Sequence, residues 1–336
     1  MSQLIVDTYG VPAYKEANPA LFTTVTFPFL FAVMFGDIFH GAMLLAGGIA
    51  IYIMGSDLGM VYKSRHFILL MGIFALFTGL CYNDYTSVAL QIFPSCYEFS
   101  EGSIYGTPKE GCVYPLGVDP AWYLGSLELT YMNSLKMKIA VIYGVAQMTF
   151  GIFLRGSNSL YFRSWLDLCF EFVPQLLIML CLFGYMDLLI VVKWLTDYSA
   201  DTGAAPGLIN VMIDMALSGG KPSVPGEAPL IGDQTTQTFV ENVLMLIVVA
   251  SVPVLLCVKP CVTGLCCKKA HVDEHNDDNF IRVIREKEAD PFNLRENIKL
   301  SNPGEGGDHD SFGELMIHQM IETIEFVLGT ISNTAS

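Results

Sequence analysis

Charged residues, and basic ones above all, are scarce in this sequence. Only 15% of the 336 residues are Asp, Glu, Lys or Arg, whereas 52% are hydrophobic. The 33 acidic residues outnumber the 18 basic ones and give a formal net charge of -15. Nucleic-acid binding is therefore not expected, because a phosphate partner needs a basic surface. The composition is typical of a polytopic membrane protein.

Several chemical motifs are also missing. The sequence contains no P-loop, no nucleophile elbow and no HExxH, so hydrolysis of a nucleotide or an ester is not predicted for this chain. The nine cysteines show neither the paired spacing of a zinc site nor the pattern of a disulfide scaffold. We predict no catalytic residue, no metal site and no cofactor. No cleavable signal peptide is visible either, so the first membrane span is expected to direct insertion.

Long apolar runs predict an all-α, polytopic integral membrane protein. As one helix, residues 21–54 would be about 51 Å long, well beyond a hydrocarbon core of about 30 Å, so Gly36-Asp37 is expected to divide them. Six spans are predicted, at about residues 21–36, 38–54, 66–84, 134–154, 168–195 and 239–258. Residues 1–20 form a juxtamembrane segment, 259–311 a polar and disordered loop, and 312–336 part of a seventh membrane helix. A short helix is expected at 208–217.

The Lys and Arg counts of the connectors orient these spans. Connectors 55–65, 155–167 and 259–311 carry two, two and eight basic residues, whereas loops 85–133 and 196–238 carry one each. The positive-inside rule places the first three in the cytosol. The N-terminal segment is then cytosolic too, and the seventh segment starts in the cytosol.

The last apolar segment, residues 312–336, carries polar groups along one side. At 100° per residue on a helical wheel, six of them and one glycine fall within about 80° of one another: Glu314, His318, Glu322, Glu325, Gly329, Ser332 and Ser336. A carboxylate inside a membrane costs roughly 2.5 to 3.5 kcal/mol and usually marks an ion or proton route. We predict that Glu325 lies on a proton path, although an inter-helix hydrogen bond would also explain it. For Glu322 and His318 a hydrated vestibule explains the pattern equally well.

Charged residues also mark the non-cytosolic ends of the first four spans. Asp37 suits the N-cap of the second helix, a role that is compatible with a place on the proton path. Asp84 closes the third span, where it either lines a funnel or lies in water. Lys136 and Lys138 open the fourth span against the positive-inside trend. Snorkelling to the interface is favoured for these lysines over an ion pair with a carboxylate.

Eight stretches spread over nearly the whole chain resemble the subunit a family of vacuolar-type proton ATPases; one of them is FGY at 183–185. The other seven are FPFLFAVMFGD at 27–37, LMGIF at 70–74, YND at 82–84, YPLGVDP at 114–120, NSLKMK at 133–138, IHQMIETIEF at 317–326 and SNTAS at 332–336. The resemblance implies a stator subunit whose eight-helix membrane domain lies against a rotating ring of proteolipid subunits. Such a subunit supplies two offset proton half-channels, while other subunits hydrolyse ATP.

By position, the resemblance places Glu325 in the lumenal half-channel, with Asp37 and Asp84 near its mouth. Ser332, on the same helix face, joins the proton path. Phe39 stands where the family usually has Gly, and Glu322 and Asn333 stand where it often has His. The family's essential ring-facing Arg is expected beyond residue 336, and its large N-terminal domain is missing, so the chain is expected to be a fragment that does not pump by itself.

The resemblance also implies partners and a location. The expected partners are the proteolipid ring, other membrane-sector and stalk subunits, and the lipid bilayer, in an acidic compartment such as the vacuole, lysosome, endosome or Golgi, or in the plasma membrane. Cys96 and Cys112 are the two thiols of loop 85–133, and we expect them to form a disulfide in the oxidising lumen.

Two alternatives to this function stay open at this point. A free-standing proton-coupled carrier would use intramembrane acids similarly, although the internal repeats common in carriers are not visible. A purely structural anchor would not need a buried acidic stripe.

Overall fold

The computed structural model describes residues 2–7, 12, 15–55, 59–98, 106–124, 128–196, 198, 205–221, 228–262 and 312–335. In the last range, the side chains at positions 312–315, 318, 333 and 335 lie outside the description. The disorder predicted for 259–311 concerns residues outside the described part from position 263 onward.

Helices dominate the described part of the chain, as the apolar runs predict. They are Ser2–Asp7 (α1), Ala20–Phe35 (α2), Ile38–Met54 (α3), Met60–Lys63 (α4), Arg65–Tyr82 (α5), Glu128–Tyr161 (α6), Trp165–Asp167 (α7), Val173–Met179 (α8), Tyr185–Leu195 (α9), Leu208–Leu217 (α10), Gln234–Pro253 (α11) and Phe312–Ala335 (α12). A 3-10 helix, Pro120–Leu124, precedes α6. The short helix expected at 208–217 is confirmed as α10.

Four helical stretches in the described chain are long and apolar enough to cross a bilayer. They are Arg65–Tyr82, Thr130–Tyr161, Trp165–Leu195 and Gln234–Val262. They coincide with the third to sixth predicted spans. The first two predicted spans correspond to α2 and α3, which are shorter apolar helices of 16 and 17 residues.

Wide π-helical turns interrupt two of the long stretches. Leu168–Phe172 joins α7 to α8, Leu180–Gly184 joins α8 to α9, and Val254–Val258 extends α11. Pro174 follows the first turn and Pro253 precedes the third. A proline cannot donate the usual i to i-4 hydrogen bond, which favours such local rearrangements.

Helices α3 and α5 cross with their backbones nearly in contact. Two glycines of each helix lie at the crossing, seven residues and therefore about two turns apart: Gly41 and Gly48 in α3, Gly72 and Gly79 in α5. A Cβ at Gly72 would lie 2.4 Å from the Leu45 nitrogen, and one at Gly41 would lie 2.5 Å from the Leu76 nitrogen. Small residues allow the close approach on which helix association in lipid depends.

Two short hairpins follow α5, so the all-α expectation omits some strands. Asp84–Tyr85 (β1) pairs antiparallel with Val88–Ala89 (β2), and Tyr97–Glu98 (β3) with Thr107–Pro108 (β4). A disulfide joins Cys96 to Cys112 beside the second hairpin. The Asp119 carboxylate accepts hydrogen bonds from the Cys96 N–H at 2.8 Å and the Ser95 hydroxyl at 2.7 Å.

Helix α12 packs into a groove between α6, α8 and α11. Phe326 contacts a buried cluster of Val145, Ile152 and Met179, and a second one that includes Val248. The Gln319 side chain donates at 3.3 Å to the carbonyl of Leu255, which lies in the third π turn. These contacts fix which face of α12 points at α6.

Candidate functional site

A cavity of about 410 Å³ lies between α6, α8 and α12. It is lined by Met148, Gly151, Ile152 and Arg155 of α6, by Gln175 and Met179 of α8, and by Glu325, Phe326, Gly329, Thr330 and Ser332 of α12. The α6 residues are spaced as one helix face, which spans about 10 Å along the axis. Two of the predicted residues, Glu325 and Ser332, therefore share one cavity.

Glycine widens this cavity. A Cβ added at Gly151 or at Gly329 would meet no atom within 4 Å, so both positions leave space that a side chain would fill. One water molecule needs roughly 10 to 15 Å³. The volume of the cavity is therefore large enough for several water molecules beside Glu325.

Glu325 presents its carboxylate to this space. Its side chain is exposed, and it forms neither an ion pair nor a hydrogen bond with the residues that the structure describes. An inter-helix hydrogen bond within the described chain therefore does not account for this carboxylate. The carboxylate is therefore accessible from the cavity.

Arg155 lies at one end of the cavity and pairs with two carboxylates. Its guanidinium donates to Glu171 and to Glu322. Lys259 in turn lies 2.7 Å from Glu171 and 2.9 Å from Asp167. The network connects α6, the 165–195 helix, the 234–262 helix and α12.

Sequence reasoning missed most of this network. In the sequence analysis, Arg155 and Lys259 were counted only among the basic residues that orient the spans, and Glu322 was assigned to a hydrated vestibule. The partners of Arg155 are 16 and 167 residues away along the chain, so no local pattern reports them. Glu171 did leave a signal, since it is a lone carboxylate in the apolar run LCFEFVP.

Asp37 lies in the two-residue turn between α2 and α3, outside both helices. It caps α3, as predicted, by accepting from the Phe39 N–H at 3.2 Å, and it also accepts from the Thr86 N–H at 2.9 Å and the His40 ring. Burial alone would raise the pKa of Asp37, but these hydrogen bonds outweigh it and lower the pKa. A carboxylate held as an anion suits a cap better than a carrier that must take up protons.

Asp84 forms an ion pair with Lys136 at 2.6 Å; the carboxylate is buried, and the lysine side chain is 12% exposed. The expectation that Lys136 snorkels is therefore wrong, because it pairs with a carboxylate instead. Asp84 is 7% exposed, and its place on the proton path stays a prediction. Lys136 also donates to the Gly36 carbonyl at 3.1 Å. Along α6 it precedes Met148 by 12 residues, or about 18 Å, so the structure does not bring Asp37 and Asp84 to the Glu325 cavity.

A further buried carboxylate, Glu241, occupies α11 in the predicted sixth span. It is 1% exposed and accepts hydrogen bonds from the Tyr185 hydroxyl at 3.0 Å and the Gln237 amide at 2.9 Å. With Asp214 it lines a small cavity of about 20 Å³. The sequence alone did not predict this residue, because it lies within the apolar run of the sixth span.

The remaining site residue is His318, whose backbone lies in α12 and whose side chain is outside the described part. Within the described residues, no group of three or more His, Cys, Asp or Glu side chains could hold a metal ion.

The long apolar helices are typical of an integral membrane protein, and the structure places the Glu325 carboxylate on the wall of a cavity between three helices. The model of the V-type ATPase 116kDa subunit family matches residues 1–336, and the chain belongs to this family.

Curated relatives agree with this assignment. V-type proton ATPase subunit a3 of Arabidopsis thaliana is 39% identical over 99% of this chain. The vacuolar isoform of V-type proton ATPase subunit a from Saccharomyces cerevisiae and the human V-type proton ATPase 116 kDa subunit a 4 are each 36% identical over 99% of it. The matches cover 40%, 41% and 43% of these three relatives, so the chain spans about two fifths of their length.

Proposed function

We propose that this chain is part of the proton-translocating stator subunit, subunit a, of a rotary V-type ATPase. The observation that carries the proposal is the cavity between α6, α8 and α12 with Glu325 on its wall. A carboxylate beside water can accept a proton and release it, which is the chemistry a half-channel requires. Family membership supports this function over a free-standing carrier.

The rest of the assembly follows from this function. The chain contacts a ring of proteolipid subunits and the other membrane-sector and stalk subunits, within the bilayer of an acidic endomembrane compartment or the plasma membrane. It carries none of the nucleotide-binding motifs sought above, so ATP hydrolysis belongs to other subunits.

The proposed topology keeps six spans and a seventh membrane helix. Helices α2 and α3 would be about 24 Å and 26 Å long, somewhat less than the hydrocarbon core of about 30 Å, and their flanking residues can accommodate the difference. The Lys and Arg counts put Arg155, Lys259 and the start of α12 at the cytosolic side. We therefore assign the Glu325 cavity to the cytosolic half-channel, in place of the lumenal half-channel that the resemblance implies.

Substitution of Glu325 in the full-length subunit tests the proposal. Glu325→Gln keeps the size of the side chain but cannot cycle a proton, whereas Glu325→Asp keeps the acid and retracts it by one methylene. ATP-driven acidification of vesicles should fall most with Gln and partly with Asp, with assembly measured separately. Normal acidification by an assembled Gln variant would show that Glu325 has a structural role.

A further inference from the structure

We propose that a groove between α2, α3 and α5 binds one acidic phospholipid, with an acyl chain along α3 and the phosphate at Arg65. The groove has a volume of about 310 Å³. Its lining is apolar apart from His40 at one end, and includes Phe31 and Phe35 of α2, Met43, Gly47 and Ile51 of α3, and Ile68 of α5. The inference goes beyond the proposed function, since it concerns a different part of the fold from the Glu325 cavity.

The groove exists because α2 and α3 both pack against α5. Gly48 brings α3 close to the α5 backbone, whereas a Cβ at the neighbouring Gly47 would meet no atom within 4 Å. Met43, on the same side of α3 as Gly47, is 59% exposed. The groove is therefore open at the surface of the chain. In the proposed topology α2 and α3 span the membrane, so this surface faces lipid.

The dimensions of the groove suit a hydrocarbon chain. From His40 to Ile51 α3 rises by about 16 Å, close to the depth of one leaflet in a hydrocarbon core about 30 Å thick. Spread over this length, the volume gives a mean cross-section of about 20 Å². A helix about 10 Å across needs about 80 Å². The groove therefore admits one acyl chain and is too narrow for a helix.

Arg65 lies one turn from Ile68, at the end of the groove where α5 begins. Its guanidinium lies 4.0 Å from the centre of the Tyr62 ring and 5.4 Å from that of Tyr52, and it donates to the Tyr62 carbonyl at 3.2 Å. Among the described residues Arg65 forms no ion pair, and its Nε–H has no acceptor. A phosphate beside the guanidinium supplies the missing negative charge and oxygen acceptors, and arginine stacked on aromatic rings is well suited to bind it.

The surroundings of Arg65 favour an acidic headgroup. Lys63 and His66 lie beside it in sequence and are exposed, and the His66 ring contacts the Tyr52 hydroxyl. Tyrosines are typical of the boundary between membrane and water. The proposed topology places this end of α5 in the cytosolic leaflet, which carries the anionic lipids that attract basic residues. The groove should therefore prefer phosphatidylserine to the zwitterionic phosphatidylcholine.

Photocrosslinking in vesicles tests the site. Assembled complexes with the full-length subunit are reconstituted into phosphatidylcholine vesicles that contain a small fraction of a probe lipid, with a diazirine midway along one acyl chain. The probe is phosphatidylserine in one set and phosphatidylcholine in the other, and mass spectrometry quantifies crosslinks at Met43 and Ile51. Gly47→Leu fills the groove. Ala46→Leu is the matched control, because Ala46 is exposed on α3 but does not line the groove.

The phosphatidylserine probe should label these residues more than the phosphatidylcholine probe, and labelling should fall in Gly47→Leu but not in Ala46→Leu. Arg65→Gln should reduce the preference for phosphatidylserine about fivefold, the factor for one basic residue near an acidic surface. Equal labelling by both probes, or labelling that ignores Gly47→Leu, would show bulk lipid contact only and overturn the site. An α3 that neither probe labels would show that another subunit covers the groove, which overturns the site as well. Failure of the proposed function is read separately, as normal acidification by Glu325→Gln.

Discussion

The ammonium group of Lys136 lies 2.6 Å from the carboxylate of Asp84, although 52 residues separate them in sequence. The pair ties α6 to the end of α5, and the hydrogen bond from Lys136 to the Gly36 carbonyl adds the turn between α2 and α3. The ammonium also lies 5.3 Å from the centre of the Tyr82 ring. One lysine therefore connects four helices at the end of the domain that the proposed topology places away from the cytosol.

Removing one member of this pair should destabilise the subunit more than removing both. Lys136→Met leaves a buried carboxylate without its cation, which costs about 3 to 5 kcal/mol, whereas the pair Lys136→Met with Asp84→Asn removes both charges and should recover part of the loss. The measurement is the yield and thermal stability of assembled complex. Lys138→Met is the matched control, and equal losses for the single and double variants would contradict the prediction.

The glycines between α3 and α5 should tolerate no methyl group. Gly72→Ala forces a Cβ to within 2.4 Å of the Leu45 backbone, and overpacking of this kind costs about 1 to 3 kcal/mol. Gly47→Ala is the control on α3, because a Cβ there meets nothing within 4 Å. Less assembled subunit is expected for Gly72→Ala and an unchanged amount for Gly47→Ala. Equal amounts from both variants would show that the helices can separate without cost.

Filling the Glu325 cavity should block transport while the fold survives. Gly151→Leu projects a side chain into the cavity, whereas Gly144→Leu lies outside it on the same helix. Acidification should fall strongly for Gly151→Leu at normal assembly and stay near normal for Gly144→Leu. Unimpaired acidification by Gly151→Leu would mean that protons do not use this cavity.

The disulfide between Cys96 and Cys112 should stabilise the first non-cytosolic loop. It joins cysteines with a sequence separation of 16. For a loop of this length, the chain-entropy model gives a stabilisation of the folded state of about 3 kcal/mol. Peptide mapping without reduction should recover the two cysteines linked. Cys96→Ser, Cys112→Ser and the double variant should lose equal stability, and alkylatable thiols at both wild-type positions would refute the bond.

The topology predicts opposite accessibility for the two sets of connectors. Single cysteines at Lys109 and Lys221 should react with an impermeant reagent from the lumenal side, and one at Arg163 from the cytosolic side. Sealed vesicles of known orientation allow the test. Cytosolic labelling at position 109 or 221 would overturn the orientation.

Length and composition were enough to predict the helical membrane fold, the division at Gly36-Asp37 and the Asp37 cap. Each of these depends on local physics: a 34-residue run exceeds the bilayer, and an aspartate before a helix accepts its free amides. The ion pairs of Arg155 and Lys136 could not be predicted, because their partners are 16 to 167 residues away. The π turns could not be predicted either, because one extra residue per turn within a continuous apolar run leaves that run apolar.

The turn between α2 and α3 also constrains the order of events during synthesis. Besides the local bonds from Phe39 and His40, two of its hydrogen bonds come from residues made much later, the Thr86 amide and the Lys136 ammonium, which follow their partners by 49 and 100 positions. Translation must therefore continue past Lys136 before this turn reaches its final hydrogen bonding. Until then, water, lipid headgroups or the insertion machinery must supply these two hydrogen-bond partners to the turn between α2 and α3. The non-cytosolic end of the domain consequently matures as a unit, after the fourth span has begun to leave the ribosome.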